Sequence, residues 1–155
     1  MIRYFVIVAF AVAIVTPNVM EALARNKQKR TLASIRTVAS ALENYVADHP
    51  EWEPSAFEGS VAQMAARVPL VLPEKSWVKE LPLRDGWMHP FGMSIATVKD
   101  GDEIAVNYQI WSTGRDGKRD PKWGSRKDGT EYATKSFDND IVFTNGEFTQ
   151  HPESV

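Results

Sequence analysis

The sequence predicts an α+β fold in which a long N-terminal α-helix packs on a small antiparallel β-sheet headgroup. Three observations predict it. Leu32, Ile35, Ala39, Leu42 and Val46 recur at the alternating three- and four-residue spacing of one helical face. Ile104, Val106, Tyr108 and Ile110 alternate with Ala105, Asn107 and Gln109, the period of a strand with one buried side. Asn145-Gly146, set between Ile141-Val142-Phe143 and Phe148, suits the positive backbone dihedrals of a two-residue hairpin turn. At 155 residues and 43% hydrophobic content, the chain has enough apolar material for one globular domain with its own core.

The N-terminal segment "MIRYFVIVAFAVAIVTPNVMEALARNKQKR" is apolar from Tyr4 to Val15, then continues through Pro17 and Glu21 into a basic cluster. Residues 1–24 read in two ways. As a cleavable signal peptide they offer Arg3 as the charged start and Ala22-Leu23-Ala24 as a small-x-small cleavage site. As a retained membrane helix they supply about the ~20 residues that cross a bilayer. The next segment favours retention. Residues 25–49 carry the amphipathic stripe, and no glycine or proline separates them from the apolar run after Pro17. The sequence therefore predicts one helix of roughly 45 residues, about 70 Å long at 1.5 Å per residue. Its first half is expected to project beyond a small domain, with Pro17 kinking or locally melting the helix rather than ending it. Pro50 closes it.

Residues 50–84 form a connecting region framed by Pro54, Pro69, Pro73 and Pro82, with one short helical stretch, "SVAQMAARV", and little room for long strands. Sheet and loop occupy residues 85–155. Phe91, Met93 and Ile95 begin a strand pattern that Asp100-Gly101 turns back into the run from Ile104 to Ile110. With the Asn145-Gly146 hairpin this predicts about four antiparallel strands, whose apolar face needs a partner. The Leu32 to Val46 stripe is that partner. Between the hairpins, "STGRDGKRDPKWGSRKDGTEYATKSFDND" is charged and aperiodic. A loop of this length inside a compact domain has an ordering device of its own or a function.

Several chemistries are set aside. A net charge of −2 provides no basic field for a nucleic-acid partner. Without cysteine there are no disulfides, thiol nucleophiles or zinc-thiolate sites. His49, His89 and His151 sit in unrelated segments, no serine stands in a nucleophile elbow, and the glycines form no phosphate loop, so an enzyme is not expected. The basic residues Arg25, Lys27, Lys29 and Arg30 read as a solvated helix face, with acidic lipid headgroups as the alternative. Trp77, Trp87, Trp111 and Trp123 read as core or as cover for a sheet edge.

Four segments carry a family resemblance. "VTPNVMEALARNKQKRTLASIRTVASALENYVADHP" looks like a pilin-type kinked N-terminal helix. "LRDGWMHPFG" is similar to the signature "DxWGxPY", carried here by Asp85, Trp87, Pro90 and Phe91. "YQIWSTGRDGKRD" resembles a "Y.i.SxGxDG" segment, and "FDNDIVFTNGEF" a "DDI" segment that follows the loop. Together they resemble the pseudopilins of type II secretion, in the type IV pilin-like family, and most closely the major, G-type pseudopilin. The family's peptidase-site glycine and the following "FTLIE" glutamate are not in this sequence. Counting back from Pro17, Met1 falls just after the place of that glutamate, so the expectation is an upstream start or a subunit inserted without processing.

The resemblance implies a structural protein. Its subunits would be single-pass inner-membrane proteins with a periplasmic C-terminal domain, assembling through the N-terminal helix into a filament that drives protein secretion. Expected partners are further copies of the chain, other pseudopilins, inner-membrane components of the secretion system and the membrane itself. The alternative is a periplasmic or secreted binding domain released by cleavage after Ala24. The resemblance also implies calcium in the loop before "DDI", with Asp116, Asp138 and Asp140 as ligands beside backbone carbonyls near Ser112 to Gly114. A hard cation takes six to eight oxygens, and carboxylates from both ends of one loop would pin it. If extended, Asp138 and Asp140 point to the same side.

Overall fold

The computed structural model describes residues 2–70, 80–100, 103–120 and 132–153, with the backbone alone described for 2–17, 99–100 and 103–104. Helix α1 runs from Ile2 to Asp48, 47 residues, and continues unbroken through Pro17. It ends as anticipated beside Pro50, which cannot donate the next helical hydrogen bond. His49 closes the last turn, its backbone N–H 3.0 Å from the Tyr45 carbonyl.

The helical stripe is buried as its spacing predicts. Leu32, Ile35, Val38, Ala39, Ala41 and Leu42 lie in one core with Phe91, Met93, Ile95, Tyr108, Ile110, Ile141 and Phe143 from the sheet, and Val46 and Val106 pack at its margin. The side chain of Ile104, also expected there, lies outside the described residues. So do the side chains of the apolar run from Tyr4 to Val15. Among the described residues, no helix is long and apolar enough to cross a membrane.

The sheet has strands β1 (Phe57–Ser60), β2 (Gly92–Asp100), β3 (Glu103–Ser112), β4 (Tyr132–Thr134), β5 (Ile141–Thr144) and β6 (Glu147–Pro152), in the spatial order β1-β2-β3-β5-β6-β4. Both expected hairpins form. In β2–β3, Met93 faces Ile110 and Ile95 faces Tyr108, which puts these apolar residues on the helix side. The expected turn residue Gly101 lies outside the described residues. In β5–β6, Thr144 pairs with Glu147 across Asn145 (φ 48°) and Gly146 (φ 96°), the two positive dihedrals that the Asn-Gly pair was expected to take.

Two strands correct the expectation of about four antiparallel ones. Strand β1 comes from the connecting region and β4 from the long loop, and β4 pairs with β6 in parallel. "FEGS" and "YAT" are too short to show a period, so pairing with a neighbour, not pattern, makes them strands. The short helix in the connecting region is present as α2, Val61–Ala65. Ser60 accepts from the Gln63 N–H while the Gln63 side chain accepts from the Ser60 N–H, a capping box that satisfies two otherwise orphaned donors. This cap aims Val61 and Met64 into the core.

Candidate functional site

The loop between β3 and β5 starts at a buried polar knot. Asp85 is buried, and its Oδ1 accepts the N–H groups of Trp87 at 2.9 Å and His89 at 2.8 Å. Its Oδ2 accepts the hydroxyl of Ser112, the last residue of β3, at 2.6 Å. Three donors replace the water that a buried carboxylate loses. The next residue, Gly86, donates to the Thr31 hydroxyl of α1 at 2.9 Å. A side chain at Gly86 would stand 2.4 Å from the Lys27 carbonyl, so only glycine allows this approach to the helix. His89 Nδ1 lies 2.9 Å from the Gly114 carbonyl; a carbonyl only accepts, so Nδ1 carries the proton.

From Ser112 the chain turns through Gly114 (φ 65°) and Gly117 (φ 69°) and lies against residues 137–140. Arg115 donates its backbone N–H to the Phe137 carbonyl at 2.8 Å, and its guanidinium grips both oxygens of Asp138 at 2.7 and 2.9 Å. The guanidinium holds the Asp138 carboxyl below the usual carboxylate range. Asp116 accepts the Lys118 N–H at 2.9 Å, an Asx turn within the loop. Arg119 pairs with Glu58 of β1 at 2.6 Å and lies over the Trp111 ring, 3.9 Å from its centroid.

Asp140 is different. It is only 1% exposed, its Oδ2 accepts the Asp120 N–H at 3.1 Å, and its Oδ1 is buried with no hydrogen-bond partner. Burial first, then the nearby Asp120 and Asp116 carboxylates, push its carboxyl up to about 6 against the opposing pull of the Asp120 N–H and Arg119.

The structure sets Asp138 apart from Asp140, whereas the Asp116 carboxylate lies near enough to Asp140 to help push its carboxyl up. Phe137 and Asp138 lie in a turn, not an extended strand, so Asp138 and Asp140 do not share a side. Asp138 is held by Arg115 at the surface, Asp116 serves its own turn, and Asp140 is in the interior. The Gly114 carbonyl, another expected calcium ligand, is engaged by His89. Among the described residues, no three of His, Cys, Asp or Glu stand together as a metal-holding group. Of the three aspartates in the implied calcium set, Asp138 has both oxygens engaged by Arg115 and Asp140 keeps a buried Oδ1 without a hydrogen-bond partner.

Sequence reasoning missed Asp120, Arg115 and Arg119 in this loop, and the part of His89 and Ser112 in the knot. The signal for the latter was available: the "DxW" and "SxG" segments each hold one half of the Asp85–Ser112 hydrogen bond. Of the tryptophans, Trp111 pairs with Val142 in a second small cluster, Trp87 is half-buried, and Trp77 and Trp123 lie outside the described residues. A groove of about 240 Å³ between α1 and β3 is lined by Leu42, Glu43, Val46, Ala47, Val106 and Tyr108, and the Tyr108 hydroxyl donates to Glu43 across it. It is smaller than the few hundred Å³ and upward of ordinary ligand pockets. Compared with protein-family models, curated proteins and solved structures, the chain gives no significant match.

Proposed function

We propose that the chain is a structural subunit of a type II secretion pseudopilus or a related type IV pilin-like filament. The division of helix α1 carries this reading. Its residues from Leu32 to Leu42 lie under the sheet, whereas Val19, Met20 and Leu23, on the preceding turns, are 50%, 63% and 52% exposed, and the helix continues back to Ile2. Apolar helix surface left in water favours association at roughly 25 cal/mol per Å² buried. Lipid covers that surface before assembly and like helices cover it afterwards. The head then sits in the periplasm, and lateral packing of the N-terminal helices extends a filament that carries or pushes secretion substrates outward.

Val8→Arg, which puts a charge inside the apolar run, is expected to abolish sedimentable filaments while the isolated subunit keeps the wild-type circular dichroism of its head. Filaments of normal yield from Val8→Arg would overturn the proposal. Intact mass of the protein from native membranes tests the retained helix directly, because a chain beginning at Arg25 is the product of the alternative, a released binding domain.

A further inference from the structure

We propose that residues 113–120 form a strap closed over the sheet by two of the chain's own guanidinium groups, Arg115 and Arg119, which take the part that the resemblance gives to a metal ion. The inference does not depend on the filament reading. At one end Arg115 binds residues 137–138 twice, through its backbone N–H to Phe137 and through a two-pronged grip on Asp138. A bidentate guanidinium–carboxylate pair fixes direction as well as distance, and it leaves neither Asp138 oxygen unengaged for a cation. Close approach of the two loop ends is built into the backbone: a Cβ on Gly114 would stand 2.6 Å from the Asn139 carbonyl.

At the other end Arg119 reaches across the sheet. The Trp111 indole covers Gly92, its register partner on β2, where a Cβ would meet the ring at 2.1 Å. The Arg119 guanidinium covers the indole in turn and donates to Glu58 on the edge strand β1. The planar guanidinium lies over the indole while one of its N–H groups reaches the carboxylate, a geometry that the compact, strongly hydrated ammonium of lysine reproduces less well. Directly after Arg119, the Asp120 N–H is bonded to Asp140 Oδ2, which draws the end of the strap onto the start of β5. Positive charge that would otherwise come from solution is thereby built into the strap.

Hydrogen exchange of the full-length protein, read by mass spectrometry over residues 113–120 and over the core peptide 32–42, tests this. Exchange in 113–120 should quicken about two- to fivefold in Arg115→Gln and in Arg119→Gln, the scale of an exposed ion pair, with 32–42 unchanged. It should also quicken in the wild type when salt rises from about 50 mM to about 1 M, where the screening length shrinks to about 3 Å. Millimolar calcium against a chelator should leave the wild type unmoved. Slower strap exchange in calcium overturns the proposal, as does strap exchange indifferent to salt and to both substitutions. Should either variant unfold globally, visible as faster exchange in 32–42, the salt series on the unaltered chain decides.

Discussion

Met88 has a backbone φ of 73°, in the region that favours glycine, yet its side chain is 66% exposed. No burial offsets the roughly 1–2 kcal/mol that an L-residue loses there. In the signature that "DGWMHPF" resembles, glycine falls at this place. Met88→Gly should therefore raise unfolding stability by about 0.5–1 kcal/mol in a urea titration, the left-handed strain removed less the added entropy of glycine in the unfolded chain. Asp140 presents the opposite case of a buried group. Its folded carboxyl titrates near 6, above the ordinary 3.8, so the fold binds this proton more tightly than the unfolded chain does. The resulting stability is complete below about pH 4 and is lost as pH rises through about 6. Asp138, whose carboxyl is shifted down, acts only at the acid end of that range. Unfolding free energy measured from pH 4 to pH 8 should fall by up to about 3 kcal/mol in the wild type and stay nearly flat across that range in Asp140→Asn. An equal slope in both proteins would mean that another group titrates.

Among the elements, α1 makes the strongest demand on the sheet. Leu42 is fully buried in the core that α1 shares with the sheet. Leu42→Ala should lower thermal stability by about 2–5 kcal/mol, as buried leucine truncations do; an unchanged melting temperature would place the stripe outside the subunit's own core. This packing was legible in advance because a helical face and a strand face each repeat over several turns or pairs, and the repeat survives any detail of the environment. The β5–β6 hairpin was legible for a second reason: Asn145-Gly146 meets a backbone requirement that few dipeptides meet. Strands of three and four residues carry no such repeat. "FEGS" becomes β1 because Phe57 to Ser60 pair with Ile95 to Gly92, and "YAT" becomes β4 because it finds the free edge of β6. The loop's arrangement was not legible for a related reason. Carboxylates from the two ends of the loop, Asp116 with Asp138 and Asp140, were expected to converge, whereas a turn at Phe137-Asp138 leaves Asp138 at the surface on Arg115 and Asp140 inside.

At the scale of the molecule, Asp85 joins parts that are far apart in sequence. Through Ser112 it holds the end of β3, through the N–H groups of Trp87 and His89 it shapes the turn before β2, and that turn reaches α1 at Thr31 and the strap at Gly114. Helix, sheet and strap are therefore positioned by one buried carboxylate, and a change there should be felt in all three. Asp85→Ala strands three donors in the interior and should cost about 3 kcal/mol or more of unfolding free energy. Asp85→Asn keeps an acceptor for the two backbone N–H groups, and the Ser112 hydroxyl can rotate to accept from the new amide, so its cost should be about half as large. The decisive measurement is a double-mutant cycle with Ser112→Ala. If Asp85 works through Ser112, the losses in Asp85→Ala and Ser112→Ala should overlap by about 1 kcal/mol, because the second substitution removes a bond already broken. Hydrogen exchange should show the same overlap in place as well as in size, with Asp85→Ala loosening residues 113–120 and the turn of α1 around Thr31 together. Losses that add without overlap, or a strap unaffected by Asp85→Ala, would mean that helix and strap are held independently and that the knot is local to the turn before β2.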